Sequence, residues 1–197
     1  TVNKATPTVN TWPTAAAITY GQTLASASLS GGSATVGGSF AFTSPTTAPT
    51  VSQSGNTFAV TFTPSDTANY NTASGSVAVT VNKATPTVNT WPTAAAITYG
   101  QTLASATLSG GSATVGGSFA FDSPTTAPTV SQSGNTFAAT FTPTDSTNYN
   151  TVSGSVAVTV NKATPTVNTW PTAAAITYGQ TLASATLSGG GATVGGS

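Results

Sequence analysis

The 197-residue chain carries three Lys (Lys4, Lys83, Lys162) and three Asp (Asp66, Asp122, Asp145), with no Arg, Glu, His, Cys or Met. A net charge of zero with 3% charged residues supplies no field to steer an ionic partner. Nucleic-acid binding, which rests on Lys and Arg against phosphate, is excluded, as are a disulfide framework and a thiolate metal site.

The chain repeats itself with a period of 79 residues: Thr1-Val2-Asn3-Lys4-Ala5-Thr6-Pro7 returns from Thr80 and again from Thr159. Residues 1–79 and 80–158 differ at seven positions: Ser28/Thr107, Thr43/Asp122, Val60/Ala139, Ser65/Thr144, Thr67/Ser146, Ala68/Thr147 and Ala73/Val152. Residues 159–197 match 80–118 except at Ser112/Gly191. Such a period exceeds that of solenoid repeats and suits a small domain with its own core. The boundaries read from it are 1–4 as the end of a preceding repeat, 5–83 and 84–162 as repeats, and 163–197 as the N-terminal half of another. Targeting and anchoring segments are then expected outside this stretch. No apolar run approaches the ~20 residues of a membrane helix.

Within one repeat nothing favours a helix. Thr, Val, Phe and Tyr dominate, and they fit a pleated, half-buried surface. Strands are predicted over 7–12, 17–20, 23–29, 38–43, 48–52, 56–63 and 76–81. The clearest are Phe40-Ala41-Phe42, Phe58-Ala59-Val60-Thr61-Phe62 and Val77-Ala78-Val79-Thr80-Val81, which alternate with period two. Turn signals separate the strands at Gly21-Gln22, Gly31-Gly32, Ser44-Pro45, Ser54-Gly55-Asn56, Pro64-Ser65-Asp66 and Ser74-Gly75. Gly21, Gly55 and Gly75 are expected at positive φ. About seven short strands with a turn roughly every ten residues predict an all-β fold, an antiparallel sandwich repeated in tandem. The core is predicted as Val9, Trp12, Ile18, Tyr20, Leu24, Leu29, Phe40, Phe42, Phe58, Val60, Phe62, Tyr70, Val77 and Val79 with their copies. Val60 shrinks to Ala139 while Ala73 grows to Val152, which suggests that the two sites touch.

The joint from Val79 to Val88 contains no Gly or Ser pair that would make it a flexible coil. Pro86 pushes Thr85 toward extended geometry. A stiff joint built on Lys83, Pro86, Trp91, Lys162, Pro165, Trp170 and Trp12 is expected.

Ile18-Thr19-Tyr20-Gly21-Gln22-Thr23-Leu24, Phe58 to Pro64, Asp66-Thr67-Ala68-Asn69-Tyr70-Asn71 and the closing run Val77 to Ala84 resemble bacterial immunoglobulin-like tandem repeats of large secreted and surface proteins. The resemblance spans the whole chain. It implies immunoglobulin-like β-sandwiches, an extracellular or cell-surface location and a structural or adhesive role without catalysis. Asp66 to Thr72 is similar to the Asp-x-Ala-x-Tyr-x-Cys run of immunoglobulin domains, where the tyrosine hydroxyl ties a loop corner. Asp66 and Tyr70, with Asp145 and Tyr149, are assigned to that loop on this likeness, and Thr72 replaces the cysteine.

Catalysis needs groups that exchange protons or attack. Ser, Thr, Lys and Asp remain here, and the only dyad they offer would need Lys4 buried, although it lies in the joint; no enzyme is expected. One Asp per repeat, plus Asp122, falls short of the 6–8 oxygen ligands that Ca²⁺ takes, so no metal or other cofactor is expected. Lys83, Asn71 and Asp66 supply the residue types of a Lys–Asn isopeptide crosslink, but a solvated Lys beside a loop-capping Asp is the plainer reading. The sequence thus predicts a non-catalytic, rigid structural segment of a long bacterial extracellular fibre, stalk or sheath. Its expected partners are neighbouring repeats or other copies of itself. The alternative is an adhesin whose repeats bind a glycan or surface partner.

Overall fold

The computed structural model describes residues 1–196. The chain is all-β, with strands joined by 3-10 turns. Two compact units form, one from Thr1–Thr93, Leu108–Asp122 and Phe137–Val156, the other from Ala94–Thr107, Ser123–Thr136 and the chain from Ala157 on.

The first unit contains residues 5–83 entire. They form β1 (Val9–Thr11), β2 (Thr14–Ala15), β3 (Ile18–Thr19), β4 (Leu29–Ser30), β5 (Ser33–Ala34), β6 (Gly38–Phe42), β7 (Thr57–Pro64), β8 (Ala73–Ala78) and β9 (Val81–Asn82). The strands are more numerous and shorter than the seven read from the sequence. Strand β7 is the spine: it pairs antiparallel with β6, Phe40 opposite Phe62, and with β8, Phe58 opposite Val77. Its alternation puts Val60, Phe62 and Pro64 inside while Thr57, Ala59 and Thr63 stay exposed, as period two requires. A second layer of short pairs faces this sheet. In it β1 pairs with β5 and β2 with β4, both antiparallel, while β3 runs parallel to β9 with Ile18 opposite Val81.

Between the layers lie Ile18, Leu24, Ala27, Phe42, Val60, Val77, Val79 and Val81, flanked by Trp12, Leu29, Phe40 and Phe58. Val60 lies opposite Gly75 and Phe62 opposite Ala73, so Val60 and Ala73 are diagonal neighbours on one face, within side-chain reach.

Two predicted strands are not strands. Residues 23–29 contain the 3-10 turn Leu24–Ser26, and 48–52 run into the 3-10 turn Val51–Gln53. The first forms because the backbone N–H groups of Leu24 and Ala25 donate to Thr47 and Pro45 carbonyls, which anchors Leu24 in the core without a ladder. The second is closed by Gln53, whose Oε1 accepts from the Thr50 N–H at 2.9 Å. This side chain bonds the backbone locally and so competes with strand pairing.

Gly21 and Gly55 have φ of 92° and 83°. Gly75 does not take positive φ; it is needed for another reason. A Cβ there would run into the Trp12 ring, so the indole lies directly on the β8 backbone. Gly154 stands in the same relation to Trp91.

The first unit also holds residues 117–121 and 137–143, with Phe119 opposite Phe141. Thr43 and Thr61 share a cross-strand hydroxyl bond of 2.9 Å. In the later copy Asp122 replaces the first threonine and accepts from the Thr140 hydroxyl at 2.7 Å. The substitution keeps the bond.

In the second unit Ile97–Thr98 runs parallel to Val160–Asn161, beside the 3-10 turns Leu103–Ser105 and Val130–Gln132. Ile97, Leu103, Ala106, Val158 and Val160 are buried. From residue 163 onward the short pairs Val167–Thr169 with Gly191–Ala192 and Thr172–Ala173 with Leu187–Ser188 persist. Trp170, Leu182 and Leu187 are nevertheless 77%, 83% and 67% exposed, because nothing here supplies the opposing sheet. No helix of the described residues is long and apolar enough to cross a membrane.

Candidate functional site: the joint between repeats

The loop after β7 is built from one carboxylate. Asp66 Oδ1 accepts from the backbone N–H of Ala68 (3.2 Å) and Asn69 (3.1 Å), and Oδ2 accepts from Asn69 Nδ2 at 2.8 Å. The Asn69 side-chain bond, followed by its backbone bond, holds the Asp66 carboxyl below its ordinary value. Asp145 repeats the arrangement: Oδ1 takes the Asn148 N–H (3.1 Å) and Oδ2 takes Asn148 Nδ2 (2.8 Å). Its carboxyl is likewise lowered, first by the Asn148 side chain.

Each loop is stitched to the start of its own repeat. The Ala5 N–H donates to the Asn69 carbonyl and the Asn71 N–H to the Ala5 carbonyl, at 2.9 and 2.8 Å. Ala84 makes the same two bonds with Asn148 and Asn150, at 3.0 and 2.8 Å. Lysine closes the stitch: Lys4 Nζ donates to the Thr67 carbonyl at 2.7 Å, and Lys83 Nζ to Ser146 at 2.6 Å. Asn71 Nδ2 reaches the Lys4 carbonyl and the Thr6 hydroxyl, both at 3.3 Å. The isopeptide set Lys83, Asn71 and Asp66 is not brought together: Asn71 Nδ2 reaches the Lys4 carbonyl, while Lys83 Nζ bonds the loop of the following copy. Both lysines are exposed donors to backbone carbonyls.

This anchored loop carries the joint. Asn148 Nδ2 is committed to Asp145, so its Oδ1 faces outward, where the Val51 backbone N–H donates to it at 3.0 Å. Val51 opens a 3-10 turn, and its N–H is one of the donors that a helical first turn leaves unpaired. Beside this bond the rings of Tyr20 and Tyr149 meet edge to face, with centroids 5.3 Å apart and planes at 86°. Residues 20 and 51 of one copy thus hold residues 148 and 149 of the next. The pairing leaves a mark on exposure. Asn148 is half-buried where Asn69 is exposed, and Tyr20 is half-buried where Tyr99 is 55% exposed.

Of the tyrosines assigned to the corner loop, Tyr149 sets its ring against Tyr20 of the preceding copy. Val51 and Asn148 did not stand out in the sequence, and Tyr20, read there as a core residue, is half-buried at this contact instead. The available signal was Tyr20 at a strand end, immediately before a positive-φ glycine, where a ring projects from the tip of the domain. The tryptophans expected at the joint sit elsewhere. Trp12 packs within its own repeat, against Phe40 with ring centroids 5.7 Å apart, and Trp91 packs on Phe119 at 5.5 Å. A flat ring lies on a glycine backbone more closely than on any side chain, which draws each indole inward to Gly75 or Gly154. Of the other residues assigned to the joint, Pro86 is buried next to the Ala84 stitch, whereas Lys162, Pro165 and Trp170 are exposed.

No protein-family model matches the chain, and no curated protein is similar to it in sequence. Among solved structures it overlaps the I-band fragment I67–I69 of titin at 14% identity, covering 86% of this chain and 70% of that one, with a TM-score of 0.37. It overlaps the titin domains Z1Z2 in complex with telethonin at 12% identity, covering 83% and 100%, with a TM-score of 0.29.

Chemically the joint offers hydrogen bonds and aromatic area, with no nucleophile–base pair. Its carboxylates are committed to backbone and amide donors.

Proposed function

We propose that the chain is a non-catalytic structural segment of a long bacterial extracellular fibre, stalk or sheath. In this reading, immunoglobulin-like repeats over 5–83, 84–162 and the half repeat 163–197 act as a rigid spacer. The observation that carries it is the joint itself: Asn148 on Val51 and Tyr149 on Tyr20 give two non-collinear contacts beside a short covalent link. One contact would leave a swivel; two at different points on the domain tip remove the rotation. The near-identity of the copies supports the same reading. Loops that bound distinct ligands would differ widely in charged and aromatic residues; here the loop changes are Ser28/Thr107, Thr43/Asp122, Ser65/Thr144, Thr67/Ser146 and Ala68/Thr147, of which only Asp122 adds a charge, and it keeps the bond to its threonine neighbour.

Small-angle scattering of the chain tests this. A rigid spacer gives a rod-like profile that is unchanged between low and high salt, since the joint contains no ion pair to screen. A profile that requires an ensemble of widely different repeat orientations overturns the proposal. Saturable binding of the chain to a glycan array would favour the adhesin reading instead.

A further inference from the structure

Two phenols meet at the joint. Tyr20 and Tyr149 lie on successive copies, yet their rings touch with centroids 5.3 Å apart and planes at 86°. The other aromatic pairs join Trp to Phe or Phe to Phe within one copy, so no other tyrosine of the described residues has an aromatic neighbour. Both tyrosines are half-buried, and neither hydroxyl takes part in a hydrogen bond. Because no buried side-chain oxygen of the described residues lacks a partner, both hydroxyls must reach solvent. The chain contains no Cys, Met or His, so a one-electron oxidant meets only Tyr and Trp rings as readily oxidised groups. Trp12 and Trp91 are packed against Gly and Phe in their own copies, away from the joint.

We propose that the Tyr20–Tyr149 contact is a site of oxidative crosslinking, where a peroxide-driven one-electron oxidant joins the rings as dityrosine and fastens successive repeats covalently. Each phenol gives up one electron and one proton, and the two phenoxyl radicals form a carbon–carbon bond between ring positions ortho to oxygen. The hydrogen on each coupled carbon then moves to the phenoxyl oxygen, which restores both phenols. The pair loses two hydrogen atoms in all, and one hydrogen peroxide, reduced to two waters, accepts them. The edge-to-face geometry leaves the rings one tilt away from coupling. Side chains reorient in picoseconds to nanoseconds, against microseconds to milliseconds for motions of whole domains. The Asn148–Val51 bond and the Ala84 stitch hold the second ring at a high effective concentration, so coupling within one molecule outruns coupling between molecules. The new bond closes the chain from residue 20 to residue 149 and stabilises the folded pair of repeats by restricting the unfolded state. The inference rests on this ring contact and not on the fibre reading, so either can fail without the other.

The test is mass and peptide analysis of the full chain, dilute, after treatment with a haem peroxidase and limiting hydrogen peroxide. The three lysines make the readout specific: trypsin cuts after Lys4, Lys83 and Lys162, leaving Tyr20 in peptide 5–83 and Tyr149 in peptide 84–162. The expected product is a monomer lighter by two hydrogen atoms, with dityrosine fluorescence, whose digest contains 5–83 joined to 84–162. Tyr20→Phe and Tyr149→Phe keep the rings but remove one phenol, and each should abolish the joined peptide. Tyr70→Phe and Tyr99→Phe should leave its yield unchanged. Oxidation in denaturant should lower the yield at least ~tenfold, since proximity is lost. A joined peptide that survives Tyr149→Phe overturns the proposal, as does one confined to dimers of the chain or formed equally well in denaturant. Oxidation that consumes tyrosine or tryptophan in the folded wild type without joining the two peptides overturns it as well.

Discussion

Replacing Tyr149 by Ala should free the joint while leaving each repeat folded. The ring meets Tyr20 edge to face at 5.3 Å, and such pairs contribute about 0.5–1.5 kcal/mol beyond their area. The neighbouring bond from the Val51 N–H to Asn148 Oδ1 adds about 1 kcal/mol, the usual net worth of a neutral hydrogen bond. Together they favour the closed joint by about 2 kcal/mol, a closed-to-open ratio near ~30 to 1. Removing the ring leaves about 1 kcal/mol and a ratio near ~5 to 1, so the open fraction rises from a few per cent to about a sixth. The absence of native cysteine makes the measurement direct. Cysteines introduced at Thr47 and Thr142, both exposed, carry a unique pair of spin labels. Double electron–electron resonance should give one narrow distance in the parent and a narrow peak on a broad base in Tyr149→Ala, with the melting temperature nearly unchanged. An unaltered distribution would show that the covalent link and the Ala84 stitch alone fix the joint. Cooperative loss of structure would place Tyr149 in the core of its own repeat.

Trp91→Ala should act on stability and not on the joint. Loss of a large aromatic packed on Phe119 costs about 3–5 kcal/mol, read as a lowered denaturation midpoint for one transition. Gly75→Ala should destabilise by about 1–3 kcal/mol because the new methyl meets the Trp12 ring; recovery in Gly75→Ala/Trp12→Leu by chemical denaturation would confirm the clash. Asp145 has a folded pKa lowered from 3.8, so its contribution is fully present above 3.8 and is lost as pH falls through the lower folded value. The protection factors of the Ala84 and Asn150 amides, taken relative to the intrinsic exchange rate at each pH, should therefore fall on acidification below about pH 4, and Asp145→Asn should remove most of that dependence.

What the sequence determined by itself is local or periodic. The 79-residue repeat, the strand β7 with its buried Val60 and Phe62, and the turn glycines Gly21 and Gly55 follow from alternation and from conformations only glycine takes freely. The Asp66 loop was legible because Asp caps its own backbone two or three residues on. Residues 23–29 and 48–52 misled because apolar and β-branched residues also suit a 3-10 turn whose N–H groups find carbonyls elsewhere, here Thr47 and Pro45. The parallel pairing of Ile18 with Val81 joins residues 63 apart in the chain, and no local pattern encodes it. Gly75 read as a turn until the fold laid Trp12 upon it. The joint was the least legible part of all. Tyr20, Tyr99 and Tyr178 share the context Ala-Ile-Thr-Tyr-Gly-Gln, yet Tyr20 is half-buried, Tyr99 is 55% exposed and Tyr178 is fully exposed. Identical local sequence puts Tyr20 and Tyr99 at the end of the same short strand, Ile18–Thr19 and Ile97–Thr98, while Ile176–Thr177 before Tyr178 form no strand. Whether the ring becomes a contact depends on a loop 129 residues further on, the distance from Tyr20 to Tyr149, and tertiary structure alone brings that loop to it.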